Sequence, residues 1–137
     1  MKMAGKKEMV LYYEPDSQKG GGNTGKSAKL KGVLVRMGVR IKNVAPEQTG
    51  QTVGFLAGME GFEERQTENP VIEEEVLVMK NFTSGRIDQL LMGLRQAGVP
   101  RIHLKAVITD TNSSWSFYQL YEELKKEHKA MSGNDRG

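Results

Sequence analysis

The second half of the chain repeats a pattern of the first half, and this spacing constrains the fold more than any other feature of the sequence. The segment LKGVLVRMGVRI (30–41) aligns with LLMGLRQAGVPRI (90–102). Four aligned positions lie 60 residues apart: Leu30, Leu34, Gly38 and Val39 precede Leu90, Leu94, Gly98 and Val99. Self-similarity at a fixed distance is the signature of a duplicated supersecondary unit. We therefore predict one domain over residues 1–137, built from βαβα halves at 8–59 and 74–131.

The hydrophobic pattern predicts strands and helices in the same order in both halves. Apolar runs and alternating segments predict strands at 8–13, 39–45, 74–82 and 101–109. Apolar residues at helical spacing predict helices at 27–38, 49–59, 83–100 and 113–131. The second of these helices is the weakest, because it contains three glycines. We predict that the acidic residues 60–73, which include Pro70, link the halves.

The polarity of the strands predicts their order in a sheet. The first and third strands are apolar throughout, which indicates central positions with both faces covered. The second and fourth alternate, which indicates edge positions, so the simplest order is 2-1-3-4. Right-handed crossovers then predict an α/β fold with a mostly parallel four-stranded sheet flanked by helices. The alternative is that the two halves meet with antiparallel central strands.

A glycine-rich segment satisfies a short phosphate-binding pattern. Residues 20–27, GGGNTGKS, match G-x-x-x-x-G-K-[ST], in which backbone N–H groups, a lysine and a hydroxyl surround a nucleotide phosphate. That pattern requires a strand that runs directly into the loop, but Glu14 to Lys19 intervene. Val10 to Gly38 also spans about six residues more than the matching Val76 to Gly98. We interpret the segment as an inserted surface loop. Nucleotide binding or hydrolysis through residues 20–27 is the alternative function, with Asp110 as the magnesium ligand.

Hydroxyl side chains lie near the start of every predicted helix: Thr24 and Ser27, Thr49 and Thr52, Thr83 and Ser84, and Thr111, Ser113 and Ser114. In a parallel sheet these turns share one edge, where the positive ends of helices attract anions. This predicts an anion site at the carboxyl edge of the sheet, formed by Lys26, Ser27, Thr83 and Ser84. Ordinary N-capping of the helices explains the same hydroxyls without a ligand.

Composition excludes several classes of protein. The 137 residues include no cysteine, which excludes disulfides, thiolate metal sites and cysteine nucleophiles. No apolar run approaches the roughly 18 residues of a membrane span, and the N-terminus does not resemble a signal peptide, so we predict a cytoplasmic protein. Neither His103 nor His128 has a second ligand at metal-binding spacing, and we predict no metal, no cofactor and no catalytic residues. The sequence therefore favours a non-enzymatic protein.

Charge is distributed unevenly along the chain. Residues 1–42 carry a net charge of +7, residues 43–79 carry −7, and residues 80–137 carry +3. A basic first third could attract nucleic acid. Its segment with Lys19, Lys26, Lys29 and Lys31 has no interleaved aromatic residues that could stack on bases, so nucleic acid is the least favoured partner. The exposed edge strands allow a homodimer.

From residue 74 onward the chain resembles an uncharacterised bacterial family, the domain of unknown function 3783. The resemblance is carried by EEVLVMKNF (74–82) and by PRIHLKAVITDTNSSWSFYQLYEELKKEH (100–128). The second stretch contains a strand, Thr and Asn turn residues, Trp115 and a charged helix. The resemblance implies a small α/β protein of the bacterial cytoplasm without an established activity. We predict a small non-enzymatic module that binds an anionic small ligand or a protein partner at the carboxyl edge of the sheet.

Overall fold

The computed structural model describes residues 7–15 and 26–135, except for the side chains of residues 26 and 131–135. Within these residues the strands are β1 (Met9–Tyr13), β2 (Arg40–Asn43), β3 (Val76–Lys80) and β4 (Leu104–Val107). The α-helices are α1 (Lys26–Met37), α2 (Val53–Leu56), α3 (Ser84–Gln96) and α4 (Phe117–Asp135). Short 3₁₀ helices at Pro46–Gln48 and Asn112–Ser114 precede α2 and α4. Every predicted strand and helix is present, although α2 is only one turn long.

The sheet has the predicted order, β2-β1-β3-β4, with the two apolar strands in the centre. The predicted direction is wrong, because β1 and β3 are antiparallel: Met9 lies opposite Lys80, and Tyr13 lies opposite Val76. The outer pairs, β1–β2 and β3–β4, are parallel, so the sheet is mixed rather than mostly parallel. A continuous apolar run indicates that both faces of a strand are covered, and it carries no information on strand direction. The antiparallel alternative for the central pair is confirmed.

Helices cover both faces of the sheet and enclose two hydrophobic cores. The side chains of Val10 and Tyr12 face α1 and α3, whereas those of Leu11 and Tyr13 face α2 and α4. This division follows from the period of two along a strand, which places successive side chains on opposite faces. Both faces of β1 are therefore buried, as its uninterrupted apolar sequence requires.

Helices α1 and α3 end in the same way. Gly38 and Gly98 follow them with φ angles of 74° and 82°. Val39 N–H donates to the Leu34 carbonyl, and Val99 N–H donates to the Leu94 carbonyl, both at 2.9 Å. This is the geometry of a Schellman C-cap, which favours glycine because its φ is positive. Helix α1 ends one residue before its predicted boundary at 38, whereas α3 ends at Gln96, four residues before its predicted boundary at 100. Each C-cap returns the chain towards the next strand.

Residues 60–73, which we call the acidic segment, contain no helix or strand but are tied to the rest of the molecule. Gln51 Nε2 donates to the Arg65 carbonyl at 2.7 Å, and Gln51 Oε1 accepts from Arg65 N–H at 3.0 Å. Thr49 Oγ1 donates to the Pro70 carbonyl at 2.7 Å. Tyr13 Oη donates to the carbonyl of Ile72, whose own side chain is buried. These bonds hold the acidic segment beside α2 and the end of β1.

Tyr12 and Glu75 form a buried polar pair at the end of the sheet. Tyr12 is 2% exposed and Glu75 is 9% exposed, and the Tyr12 hydroxyl donates a hydrogen bond to Glu75 Oε2. Burial raises the pKa of Tyr12 above its ordinary value of 10.0, and the hydrogen bond and negative charge of Glu75 raise it further. The pair therefore favours the protonated hydroxyl in the folded protein.

This raised pKa predicts a loss of stability at alkaline pH. Because the folded-state pKa lies above the unfolded one, the protonated Tyr12 contributes stability that is complete below about pH 10 and is lost as the pH rises further. Between pH 10 and 11.5 we expect the free energy of unfolding to fall more steeply in wild type than in Tyr12→Phe, by up to about 1.4 kcal/mol per pH unit. Urea unfolding followed by circular dichroism measures both slopes. Equal slopes would contradict the assignment.

Candidate functional site

The structure separates the residues that the sequence grouped into one anion site. Lys26 and Ser27 begin α1, whereas Thr83 and Ser84 stand at the start of α3. The glycine-loop prediction falls largely on residues 20–25, which lie outside the described residues. The end of β1 lies beside the start of β3, and α3 follows β3 at the opposite end of the sheet. A mixed sheet has no single carboxyl edge, so the two pairs share no crevice. Anion binding by either pair stays a prediction.

Three of the hydroxyls near the helix starts, those of Thr52, Thr83 and Ser113, form local hydrogen bonds. Thr52 Oγ1 accepts from Phe55 N–H at 3.1 Å, and Thr83 Oγ1 accepts from Arg86 N–H at 3.2 Å. Ser113 Oγ donates to the Asp110 carbonyl at 3.0 Å. The first two bonds are N-caps, as the alternative explanation expects, whereas the third closes a turn.

A groove lies between α3 and the beginning of β4, and its volume is about 410 Å³. We call it the β4 groove, and its lining residues are Leu91, Leu94, Arg95, Val99, Pro100, Arg101, Ile102 and Lys105. Leu94, Val99 and Ile102 are buried and form an apolar floor. Arg95 and Arg101 are exposed, and Lys105 is half-buried. A cavity of this size with an apolar floor and a few charged groups is typical of a ligand site.

The alternation of β4 places a lysine in this groove. Leu104 and Ala106 pack in the core beneath α4. Successive residues of a strand point to opposite faces, so Lys105 points to the side of α3. The chain turns at Gly98 after α3, and the buried Val99 and Ile102 that follow line the groove. The Lys105 side chain therefore crosses apolar surface at the margin of the sheet.

Among the described residues, Lys105 lacks an acidic partner. Its Nζ donates to the Ile102 carbonyl, and no described residue forms an ion pair with Lys105, Arg95 or Arg101. Burial lowers the pKa of Lys105 below its ordinary value, and the positive charge of Arg101 lowers it further. Buried cations are usually paired with a carboxylate. A perturbed lysine in a cleft beside another cation is therefore a candidate binding residue.

Arg86 shows how the same chain satisfies a structural cation. Its Nη2 lies 2.6 Å from Glu8 Oε1 and its Nε lies 2.8 Å from Glu8 Oε2. A second bond from Nη2 reaches the Met37 carbonyl at 2.7 Å, at the end of α1. The hydrogen bonds to Glu8 raise the pKa of Arg86. Arg86 on α3 therefore links Glu8, which precedes β1, to the end of α1. The cations of the β4 groove form no such ion pair with a described residue.

A second groove, of about 420 Å³, lies on the other side of β4 against α4. Its lining includes His128 and carries charges of both signs, from Glu74, Glu122, Lys125, Lys126 and Lys129. Lys125 Nζ lies 5.1 Å from the centre of the Tyr121 ring. Because carboxylates stand among its cations, this groove selects an anion less strongly than the β4 groove.

The structure also brings together two histidines that the sequence treated separately. The ring centres of His103 and His128 lie 5.3 Å apart. The sequence did not indicate their contact, because His103 precedes β4 and His128 lies on α4, 25 positions later. In the described part of the chain, no group of three or more His, Asp or Glu residues could hold a metal ion. The pair is a ring contact between β4 and α4.

One feature of the sequence indicates the positive charge of the β4 groove. Residues 89–109 hold three Lys/Arg and no Asp or Glu, although both flanking positions, Asp88 and Asp110, are acidic. A stretch of one sign across a helix end and an edge strand indicates a uniformly charged surface. That signal did not show which cations lie in one cleft, because this depends on how α3 packs beside β4.

The family comparison covers this half of the molecule. Residues 75–131 match the family model described as Domain of unknown function (DUF3783), which confirms the resemblance read from the sequence. The match spans less than half of the chain, yet it includes every residue that lines the β4 groove. Searches among curated proteins and among solved structures found no match. The comparisons attach no activity to the chain and give the nucleotide-binding alternative no support.

Two further observations bear on the sequence predictions. None of the helices in residues 26–135 has the length and hydropathy that a membrane span requires. Asp110, the predicted magnesium ligand, is exposed in the turn after the edge strand β4. Strand β3 separates β4 from β1, and the end of β4 lies level with the start of β1, so Asp110 is remote from the end of β1.

Proposed function

We propose that the protein is a non-catalytic module whose β4 groove binds an anionic group, carried by a small ligand or by a protein partner. The observation that carries this proposal is the half-buried Lys105, which lines the β4 groove together with Arg101 and has no acidic partner among the described residues. The site differs from the carboxyl edge that the sequence predicted. The class of ligand is unchanged.

A carboxylate or phosphate in the groove would satisfy both cations. Hydrogen bonds between ionised groups are shorter and stronger than neutral ones. An anion near Lys105 raises the pKa of its ammonium group, opposing the effect of burial and of Arg101. The buried floor of Leu94, Val99 and Ile102 accommodates the apolar part of the same ligand.

The test compares binding to two acidic probes, citrate and a hexaglutamate peptide, by isothermal titration calorimetry at low salt. We expect wild type to bind at least one of them, with an affinity that falls as salt is added. The double variant Arg101→Gln, Lys105→Gln should bind at least about tenfold more weakly, because a hydrogen bond to a charged group contributes about 1.5–3 kcal/mol.

A matched control makes the same change of charge on the opposite edge strand. Arg40→Gln with Lys42→Gln removes two positive charges from β2 and leaves the β4 groove intact. We expect the affinity of this variant to lie within about twofold of wild type, because exposed distant charges are screened. Equal losses in the two double variants, or no binding by wild type, would contradict the proposal.

Two other anion sites are kept as separate proposals. Lys26 and Ser27 begin α1, and Thr83 and Ser84 stand at the start of α3. Both proposals are supported by the positive end of the helix dipole. Only the second pair has described bonds, and there Thr83 caps the helix.

We also propose that residues 8–59 and 74–131 are copies of one βαβα unit within a single domain, linked by the acidic segment. Each half has the order strand, helix, strand, 3₁₀ helix, helix. The proposal is further supported by a reciprocal contact: Val53 N–H donates to the Trp115 carbonyl at 2.8 Å, and Phe117 N–H donates to the Gln51 carbonyl at 2.9 Å. A bridge between Thr52 and Ser116 lies between these bonds.

The proposed setting is the bacterial cytoplasm that the family resemblance implies. The only homodimer that we propose is one in which edge strands of the sheet, β2 or β4, form the interface.

A further inference from the structure

The outer edge of β4 presents unused backbone groups. Ile108 N–H donates to the Met79 carbonyl at 2.8 Å, which shows that Ile108 faces β3. Backbone direction alternates along a strand, so Ala106 also faces β3, whereas Lys105 and Val107 face away from it. Among the residues that the structure describes, no strand lies beyond β4 in the sheet. The N–H and C=O of Lys105 and the N–H of Val107 therefore point out of the sheet.

Side chains already occupy the two ends of this edge. Asn112 Nδ2 donates to the Val107 carbonyl at 3.0 Å, and Asn112 Oδ1 accepts from Thr109 N–H at 2.9 Å. At the other end, Lys105 Nζ donates to the Ile102 carbonyl. The Asn112 amide thus makes the two bonds that a peptide group of a neighbouring strand would make. Between these ends, the outward groups of Lys105 and the N–H of Val107 have no partner among the described residues.

We propose that a protein partner binds along this edge through an extended stretch rich in Glu or Asp. The stretch adds a fifth strand to the sheet and places its carboxylates in the β4 groove. The inference rests on the proposed function, because the groove supplies the cations that select the segment. In strand addition, main-chain hydrogen bonds supply affinity and pockets for alternate side chains supply specificity. Alternate side chains of the added strand would face α3, where Arg95, Arg101 and Lys105 lie.

Charge distinguishes this partner from a second copy of the chain. A symmetric pairing of β4 with β4 of a second copy would bring two sets of the same three cations together across the twofold axis. Like charges brought together across an interface are unfavourable. The acidic segment of the same chain is held elsewhere, by Gln51 and by Thr49. An acidic stretch of a different protein would neutralise the cations of the β4 groove and would form hydrogen bonds with the open edge of β4.

The test uses an acidic peptide of alternating sequence, acetyl-Glu-Val-Glu-Val-Glu-Val-amide, with fluorescence polarisation and amide hydrogen exchange by NMR. On binding, we expect exchange of the Lys105 and Val107 amide protons to slow by at least about tenfold, because they gain hydrogen-bond partners. The Ala106 amide is the internal control, since it already faces β3. Unchanged exchange at Lys105 and Val107 would overturn strand addition.

Two methylated analogues separate backbone pairing from charge attraction. Each carries methyl groups on alternate peptide nitrogens, so each blocks one edge of the peptide and keeps all its carboxylates. Strand addition predicts that one analogue loses at least about tenfold in affinity, because the N–H groups that face β4 are gone, and that the other binds like the parent. Equal behaviour of the two analogues, whether both bind or both fail, would overturn the proposal.

The outcomes also separate this proposal from the function on which it rests. If citrate binds and depends on Arg101 and Lys105, but the peptide leaves the β4 amides unprotected, anion binding stands and strand addition fails. If neither citrate nor the acidic peptides bind wild type, both fail. Without peptide, the Lys105 and Val107 amide protons could exchange more slowly as the protein concentration rises. That result would show that a second copy, and not an acidic partner, pairs with β4.

Discussion

Gly50→Ala should lower the free energy of unfolding by about 3 kcal/mol. A Cβ added to Gly50 would lie 2.0 Å from the Glu68 carbonyl oxygen and 2.6 Å from Thr67 Cγ2. The first of these atoms belongs to the backbone, so a side-chain rotation cannot relieve the clash and the acidic segment must move. That movement would also strain the bond from Gly50 N–H to Asn69 Oδ1, which is 2.8 Å long, and the bonds from Arg65 to the Gly50 carbonyl. Urea denaturation followed by circular dichroism measures the loss.

Gly85→Ala is the matched control for this change. Gly85 lies in the first turn of α3, and a Cβ added there would meet no atom of the described residues within 4 Å. Alanine at such a position restricts the unfolded chain, so we expect a gain of about 0.4–1 kcal/mol. Limited proteolysis within the acidic segment gives a second measurement, since Gly50→Ala should accelerate cleavage there and Gly85→Ala should not. A Gly50→Ala protein as stable as wild type would show that the acidic segment does not pack against this turn.

Leu30→Ala and Leu90→Ala should each lower the free energy of unfolding by about 2–5 kcal/mol. Both side chains are 0% exposed, and both belong to the core beneath α1 and α3. Each truncation removes buried apolar atoms and leaves a cavity that a close-packed interior fills only in part. The two leucines occupy aligned positions 60 residues apart, so similar losses are expected although the changes lie in different halves.

Exposed apolar residues on the same helices provide the controls. Val35 on α1 is 74% exposed and Met92 on α3 is 57% exposed. Truncation of either to alanine should change the free energy of unfolding by no more than about 0.5 kcal/mol, because surface positions contribute little. The four variants can be compared in one series of urea titrations. If Val35→Ala destabilised the protein as much as Leu30→Ala, the assignment of the buried face of α1 would be wrong.

The parts of the fold that were predictable are those that short-range chemistry determines. The uninterrupted apolar runs of β1 and β3 require cover on both faces, and this placed them in the centre of the sheet. Gly38 and Gly98 marked helix ends because a positive φ suits glycine. The direction of β3 relative to β1 was not predictable in this way. It depends on how the connection of residues 44–75 crosses the molecule, and apolar pattern does not encode that path.

The error in direction also displaced the predicted site. Thr83 and Ser84 were grouped with Lys26 and Ser27 because parallel strands would bring those turns together. To predict the β4 groove, one must know where α3 ends relative to β4 and which cations lack carboxylate neighbours. The sequence shows neither. In the sequence, Lys105 stands between Leu104 and Ala106 as one polar position of a strand. Its partial burial beside Arg101 emerges only when α3 and β4 are packed.

The antiparallel centre of the sheet has a consequence for how such a chain can vary. Connections that leave β1 and β3 emerge at opposite poles of the molecule. Residues inserted after one strand therefore do not compete for space with residues inserted after the other. Lengthening or shortening either connection leaves the opposite pole sterically undisturbed, so the two ends of the protein can diverge in chemistry independently of each other.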